Sequence, residues 1–288
     1  MIPVIRHTFS RYIGQITIWG IALGVLCAYG LLLYDSLVEP EAQQQYLQLI
    51  SNYPPELMAF FGDMSQMFTP GGYLDTLFFS YIPIVIGFFS IFSCASLLAG
   101  DEEKGILDLI LAHPISRTNL FFGRILAFIS ATILILCIAW IGIALTLPRT
   151  SMEATVWEII LPFLSLFSLL MFFGTLTLLL SMLLPSLQWA VMVSGLLLVA
   201  SYFMTSISKL SENLKPIEKF LPMHYYQGGQ ALTKTNCSWL GILIGFSILF
   251  SILAWWLFEH RDIRVSGESG WRMSTLFKPK RSDSQKAD

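Results

Sequence analysis

The residues best equipped for chemistry stand together in one stretch: Asp101, Glu102, Glu103 and Lys104, followed closely by Asp108, His113, Ser116 and Arg117. Carboxylate, imidazole and hydroxyl groups in such proximity are the ingredients of acid–base or nucleophilic catalysis. Asp108, His113 and Ser116 come nearest to a triad, but no G-x-S-x-G elbow presents a serine anywhere in the chain. His7, His224 and His260 are scattered over other segments, and no His or Cys pair has metal-ligand spacing. A G-x-x-x-x-G-K-S/T loop, whose amides and lysine would cradle nucleotide phosphates, is absent. The sequence therefore reads as a non-enzyme, with no catalytic, cofactor-binding or metal-binding residues of its own.

The elements that must position this charged stretch are apolar. Hydrophobic residues make up 55% of the 288 positions and charged ones only 12%, against roughly 25% charged in soluble domains. Blocks of about 20 apolar residues match the length of a helix crossing a bilayer. Six such blocks are expected as spans, at 13–34, 74–99, 125–147, 159–184, 187–206 and 239–258. Trp157 and Glu158 read as interfacial, with Pro162 starting or kinking the fourth span. Pro185 to Leu187 leave only a hairpin before the fifth, and Trp239, Trp255 and Trp256 fit an aromatic belt around the sixth. The fold class is an all-α membrane protein, a six-span domain at 1–260 followed by a basic tail at 261–288.

Lysine and arginine set the orientation. Arg6, Arg11, Lys104, Arg117, Arg124 and the tail cations fall on one side, while the loop from Asp35 to Tyr73 has neither residue type. The positive-inside tendency then places both termini in the cytoplasm, in the plasma (inner) membrane, with the first block retained as a span. Cys27, Cys94, Cys137 and Cys237 lie in or near spans and read as packing residues. The span centres offer Ser, Thr, Gly and Cys, while Asp75 and Glu158 sit near ends. Ion-coupled transport wants a titratable group at mid-membrane, so if this chain moves something, the energy enters from outside the spans.

That returns attention to the charged stretch, on the cytoplasmic side between the second and third blocks. Asp101, Glu102 and Glu103 suit a helix N-terminus, and Ile106, Leu109, Ile110 and His113 follow at helical spacing. Leu107 and Leu111 widen the apolar face, Pro114 ends the helix, and Ser116 caps the next one. A plain amphipathic connector and a functional helix both fit this pattern.

The stretch "LLAGDEEKGILDLILAHPISRTNLFFGRILA", Leu97 to Ala127, resembles the signature of ABC-2 type transporter permeases. The matching positions are Glu102, Glu103, Lys104, Gly105, Leu107, Leu109, Leu111, Pro114, Ser116 and Arg117; Ile106 departs from the threonine common in such permeases. "YPPELMAFFG" (Tyr53 to Gly62) and "LPMHYYQGGQAL" (Leu221 to Leu232) resemble the family more loosely. The resemblance implies a transporter's membrane half, an exporter partnered by a separate cytoplasmic ATP-binding subunit that holds ATP and Mg. It implies a coupling helix over Glu102 to Ala112, in which Glu102, Glu103, Lys104 and Arg117 make polar rim contacts. Leu107 and Ile110 would supply its docking or membrane face, with Gly105 and Pro114 completing the site. It also implies a second permease chain, identical or sister, besides the lipid bilayer, and no nucleic acid. Gly20 and Gly24 could permit close helix contact, within the chain or between chains. The outer loop from Asp35 to Tyr73, with its stretch "PELMAFFGDMSQMF", reads as short amphipathic helices that form a lid or merely close the outer end. The competing reading is a membrane-embedded interaction or assembly protein without a transport path.

Overall fold

The computed structural model describes residues 2–54, 66–112, 115–208, 212–232 and 235–260. Every regular element among them is helical. The basic tail, Pro114, and most of the "PELMAFFGDMSQMF" stretch lie outside the described residues.

Five helical stretches are long and apolar enough to cross a membrane. Helix α1 (Ile2–Leu32) runs almost directly into the short α2 (Tyr34–Val38), and α3 (Pro40–Ser51) follows. The sequence places the first span at residue 13, but α1 begins eleven residues earlier. Its first turns bury Val4, Thr8 and Tyr12 against the bundle while Arg6, His7 and Ser10 stay exposed. The other long helices are α8 (Arg117–Thr146), α9 (Ile160–Leu183), α10 (Leu187–Ser208) and α12 (Cys237–His260), where the numbers α4 to α7 and α11 belong to the short elements introduced below.

The second apolar block is not one straight helix. It comprises α4 (Pro70–Leu74), a π-helical turn at Asp75–Phe79, and α5 (Ile82–Ser96), with a 47° bend between the halves. Thr69 caps α4 through its side chain, accepting from the Gly72 N–H at 3.2 Å. Pro83 lies in the first turn of α5, where its missing N–H costs nothing and its ring discourages helix just before it.

Helices α1 and α8 pack along most of their length and run parallel, since Val4 meets Gly123 at one end and Gly24 meets Gly142 at the other. A Cβ on Gly142 would stand 2.9 Å from the Gly24 Cα, so the backbones touch where both residues lack side chains. The Gly20 and Gly24 pair is thus spent on packing within the chain, against Ile138 and Gly142 of α8. A parallel pair needs a return segment between them, and α4–α5 supplies it. Tyr73 donates to the Gly30 carbonyl near one end of α1, and Tyr12 donates to the Ser93 carbonyl at 3.3 Å near the other.

Helix α9 is the central element, apolar on all sides and largely buried. Its Ser168, Thr175, Thr177 and Ser181 hydroxyls donate to carbonyls one turn back, which satisfies these four groups within an apolar setting. Ser90 of α5 donates across to the Leu170 carbonyl at 2.6 Å, beside Gly174, where a Cβ would meet Ser90 and Cys94. Helices α10 and α12 present broad exposed apolar faces, including Met192, Leu196, Ile248 and Ile252, as helices facing lipid tails do.

Before α9, the Thr155 N–H donates to Glu158 at 2.8 Å, which holds that carboxyl below its ordinary range. This turn leaves Trp157 facing outward and starts the helix at Ile160. Between α10 and α12 come the single turn α11 (Lys215–Glu218) and a strap of 3-10 turns at Pro222–Tyr225 and Gly228–Leu232.

Candidate functional site

The charged stretch folds as two short helices, α6 (Ala99–Glu103) and α7 (Ile106–Leu111). The helix expected over Glu102 to Ala112 is broken at Lys104 and Gly105. Gly105 takes φ 67°, a left-handed conformation that terminates α6 and is costly for any residue with a Cβ.

Just before that break sits a buried ionic node. Asp101 is 3% exposed and lies between two guanidinium groups. Arg124 of α8 approaches its Oδ2 to 2.7 Å, and Arg11 of α1 reaches the same oxygen at 3.1 Å. Arg124, also 3% exposed, donates a further hydrogen bond to the Leu97 carbonyl at the end of α5. Burying a charge is tolerable only when it is paired and its remaining groups are satisfied. This node meets that condition by joining α1, α5, α6 and α8.

The neighbouring residues hold other helix ends. Glu103 accepts from the Leu187 N–H at 2.9 Å, satisfying a donor that the first turn of α10 would otherwise leave open. Arg117 donates to the Phe258 carbonyl at 3.3 Å, where the last turn of α12 leaves carbonyls free. Thr118 donates to Glu259 at 3.1 Å. Ser116 caps α8 by accepting from the Asn119 N–H at 3.2 Å. The stretch that joins α5 to α8 is thus bonded to α1 near its start, to the first turn of α10 and to the last turn of α12.

The geometry rearranges the expected roles. Leu107 turns inward and is 1% exposed, and Ile110 is partly buried against the same core. Glu102 is buried as well, whereas Glu103, Lys104 and Ile106 are exposed. Arg117, expected to make polar rim contacts, donates to the last turn of α12. Asp101 is expected from the sequence only as an acid at a helix N-terminus, and Arg11 and Arg124 only as cations that set orientation; their pairing is what the sequence does not reveal. The available signal was Arg124 itself, a cation lodged at the start of an apolar block without an acid within its own helical turn. His113 lies outside the described residues, and among the described residues no group of three or more His, Cys, Asp or Glu is placed to hold a metal. What the arrangement does physically is tie helix ends to one exposed element.

Residues 51–264 match a family described as a protein of unknown function, DUF2705, and the chain belongs to that family. No curated protein matches the chain.

Proposed function

We propose that this protein is the membrane-spanning permease subunit of an ABC transporter, an exporter powered by ATP that a separate cytoplasmic subunit hydrolyses with Mg. The observation that carries the reading is that Leu97–Asn119, which joins α5 to α8, is also bonded to three other helices, α1, α10 and α12. A permease without nucleotide chemistry of its own must receive movement from outside and distribute it to its spans. A stretch bonded to most of them, with Lys104 and Ile106 exposed at its break, suits that task.

In this reading the chain crosses the plasma membrane six times, the bent α4–α5 segment being the second crossing. Both termini and the Asp101 node are cytoplasmic. The ATP-binding subunit docks on the surface around Lys104 and Ile106, and a second permease chain completes the assembly. The resemblance of Glu102–Arg117 to the ABC-2 signature is the further support.

The test is purification from the native membrane in mild detergent, with identification of co-purifying proteins and an ATPase assay. Recovery of an ATPase that is lost on Lys104→Glu combined with Ile106→Asp is the expected result. These surface residues hold no helix end, so a folded double variant that retains the ATPase, or a wild-type preparation without one, overturns the proposal.

A further inference from the structure

The first turn of α10 and the last turn of α12 both lie at the Asp101 end of the bundle, so Ser208, which ends α10, and Trp239, near the start of α12, mark the opposite end. The 22 residues of α10 rise about 33 Å, close to the thickness of a hydrocarbon core, which sets Ser208 near a bilayer boundary. The chain between the two helices is fastened at that level. Ser208 donates to Glu218 of α11 at 2.6 Å, and His224 of the strap is hydrogen-bonded to the other oxygen of the same carboxylate at 2.9 Å. The His224 ring lies 5.1 Å from that of Trp239, and the Tyr225 hydroxyl donates to the Lys219 carbonyl at 2.9 Å. One side of this fastened segment nevertheless faces away from the protein. The Phe220 N–H donates to the Ile217 carbonyl at 3.1 Å, and residues three apart in so tight a turn share a side. Phe220 is 89% exposed, more than any other large hydrophobic side chain among the described residues, and Ile217 is 50% exposed.

We propose that Ile217 and Phe220 anchor the strap in the bilayer, inserting where acyl chains meet headgroups. In water both side chains forfeit their burial, whereas at this depth lipid covers them. The surroundings fit that occupant. Lys215 and Lys219, both exposed, stand one turn apart beside the apolar pair, placed to meet lipid phosphates while their stems lie on apolar surface. Tyr225 and Trp239 are ring types that settle at headgroup level. Exposed apolar surface also reaches this end through Ile207 on α10 and Ile242 on α12, so the anchor extends faces that lipid already meets. On its protein side the strap is held by the Gly229 N–H, which donates to Asp75 at 2.9 Å, and by the Tyr226 hydroxyl, which donates to the Phe79 carbonyl at 2.9 Å. The inference rests on α10 and α12 crossing the membrane and is independent of the ATPase proposal.

The test places an environment-sensitive nitrobenzoxadiazole probe on Phe220→Cys in the full chain, with the exposed Cys137 and Cys237 replaced by serine and the buried Cys27 and Cys94 retained. The labelled protein is put into nanodiscs of phosphatidylcholine, with or without a doxyl group high on the acyl chain, and iodide serves as the aqueous quencher. Lys219→Cys, the next residue on another side of the turn, controls for the affinity of the probe itself for lipid. Blue-shifted emission is expected at Phe220, quenched severalfold more by doxyl lipid than by iodide, with the reverse ranking at Lys219. Ile217→Cys repeats the measurement on the Phe220 side of the turn and decides the matter if the first variant does not fold. Iodide quenching at Phe220 as strong as at Lys219 overturns the proposal, because the turn then stands in water. Quenching by neither agent overturns it as well, because the side chain is then covered by protein, a second copy of this chain included. Equal doxyl quenching at Phe220 and Lys219 also overturns it, since the turn then has no distinct membrane side.

Discussion

Asp101, Glu102 and Glu103 are three consecutive acids that end in three environments: a buried ion pair, a buried position beside it, and an exposed cap on another helix. Their order in the chain does not reveal this, because a helical turn spreads adjacent side chains about 100° apart and the partners come from α1 and α8. The Ser116 cap, by contrast, was legible, since a cap depends on local backbone alone, whereas the break at Gly105 interrupts a helix expected to run through it. The buried pair makes a sharp prediction. Asp101→Ala strands the Arg124 guanidinium and should cost about 3–5 kcal/mol. Arg11→Ala removes a side chain that is 44% exposed and should cost at most about 1 kcal/mol. Replacing both buried partners, Asp101→Ala with Arg124→Leu, should recover part of the Asp101→Ala loss. Denaturant-induced unfolding in detergent micelles measures all three, and an Arg11→Ala cost equal to that of Asp101→Ala would contradict the assigned burial.

At the scale of elements, the apolar blocks were readable as helices because bilayer-length hydrophobic runs have few other structural outcomes. Which helix faces which was not readable, because a lipid-facing leucine and a packed one are the same letter. Glycines carry some of that missing information. A Cβ on Gly142 meets the Gly24 backbone, which has no side chain to move aside, whereas Gly241 and Gly245 of α12 have nothing within 4 Å. Gly142→Ala should therefore destabilise by about 1–3 kcal/mol through overpacking of α1 on α8. Gly241→Ala and Gly245→Ala should be neutral or stabilise by up to about 1 kcal/mol, the helix-propensity gain of alanine. Thermal unfolding of the three purified variants separates the cases; a loss at Gly241 or Gly245 matching that at Gly142 would show that helix pairing is not the cause. The π-helical turn and the bend after it were also hidden within a block expected as one span, and Pro83 in the first turn of α5 is the local residue that favours a helix start there.

For the molecule as a whole, the two ends of the described chain constrain the topology. Arg11 near the start of α1 contacts Asp101, and Phe258 near the end of α12 contacts Arg117, so both ends sit at the charged end of the bundle. A chain that enters and leaves on the same side crosses a membrane an even number of times. Five long helices are an odd number, and the parallel packing of α1 and α8 requires a return between them. In the proposed six-crossing topology the bent segment from Pro70 to Ser96 makes that return, despite its 47° bend. It follows that Gln48 of α3 and Lys104 should lie on opposite faces of the bilayer, with Ser151, hydrogen-bonded to Asp35 at 2.6 Å, on the Gln48 face. Single cysteines at these positions, in a background where Cys27, Cys94, Cys137 and Cys237 are serine, can be probed with a membrane-impermeant maleimide on intact cells. Labelling of Gln48→Cys and Ser151→Cys without Lys104→Cys is the expected pattern for a cytoplasmic charged end. Labelling of Lys104→Cys alone would invert the proposed orientation while agreeing with the proposed six crossings. Labelling of Gln48→Cys together with Lys104→Cys would make the bent segment re-entrant, and the Asp101 node would then be unable to serve a cytoplasmic ATPase.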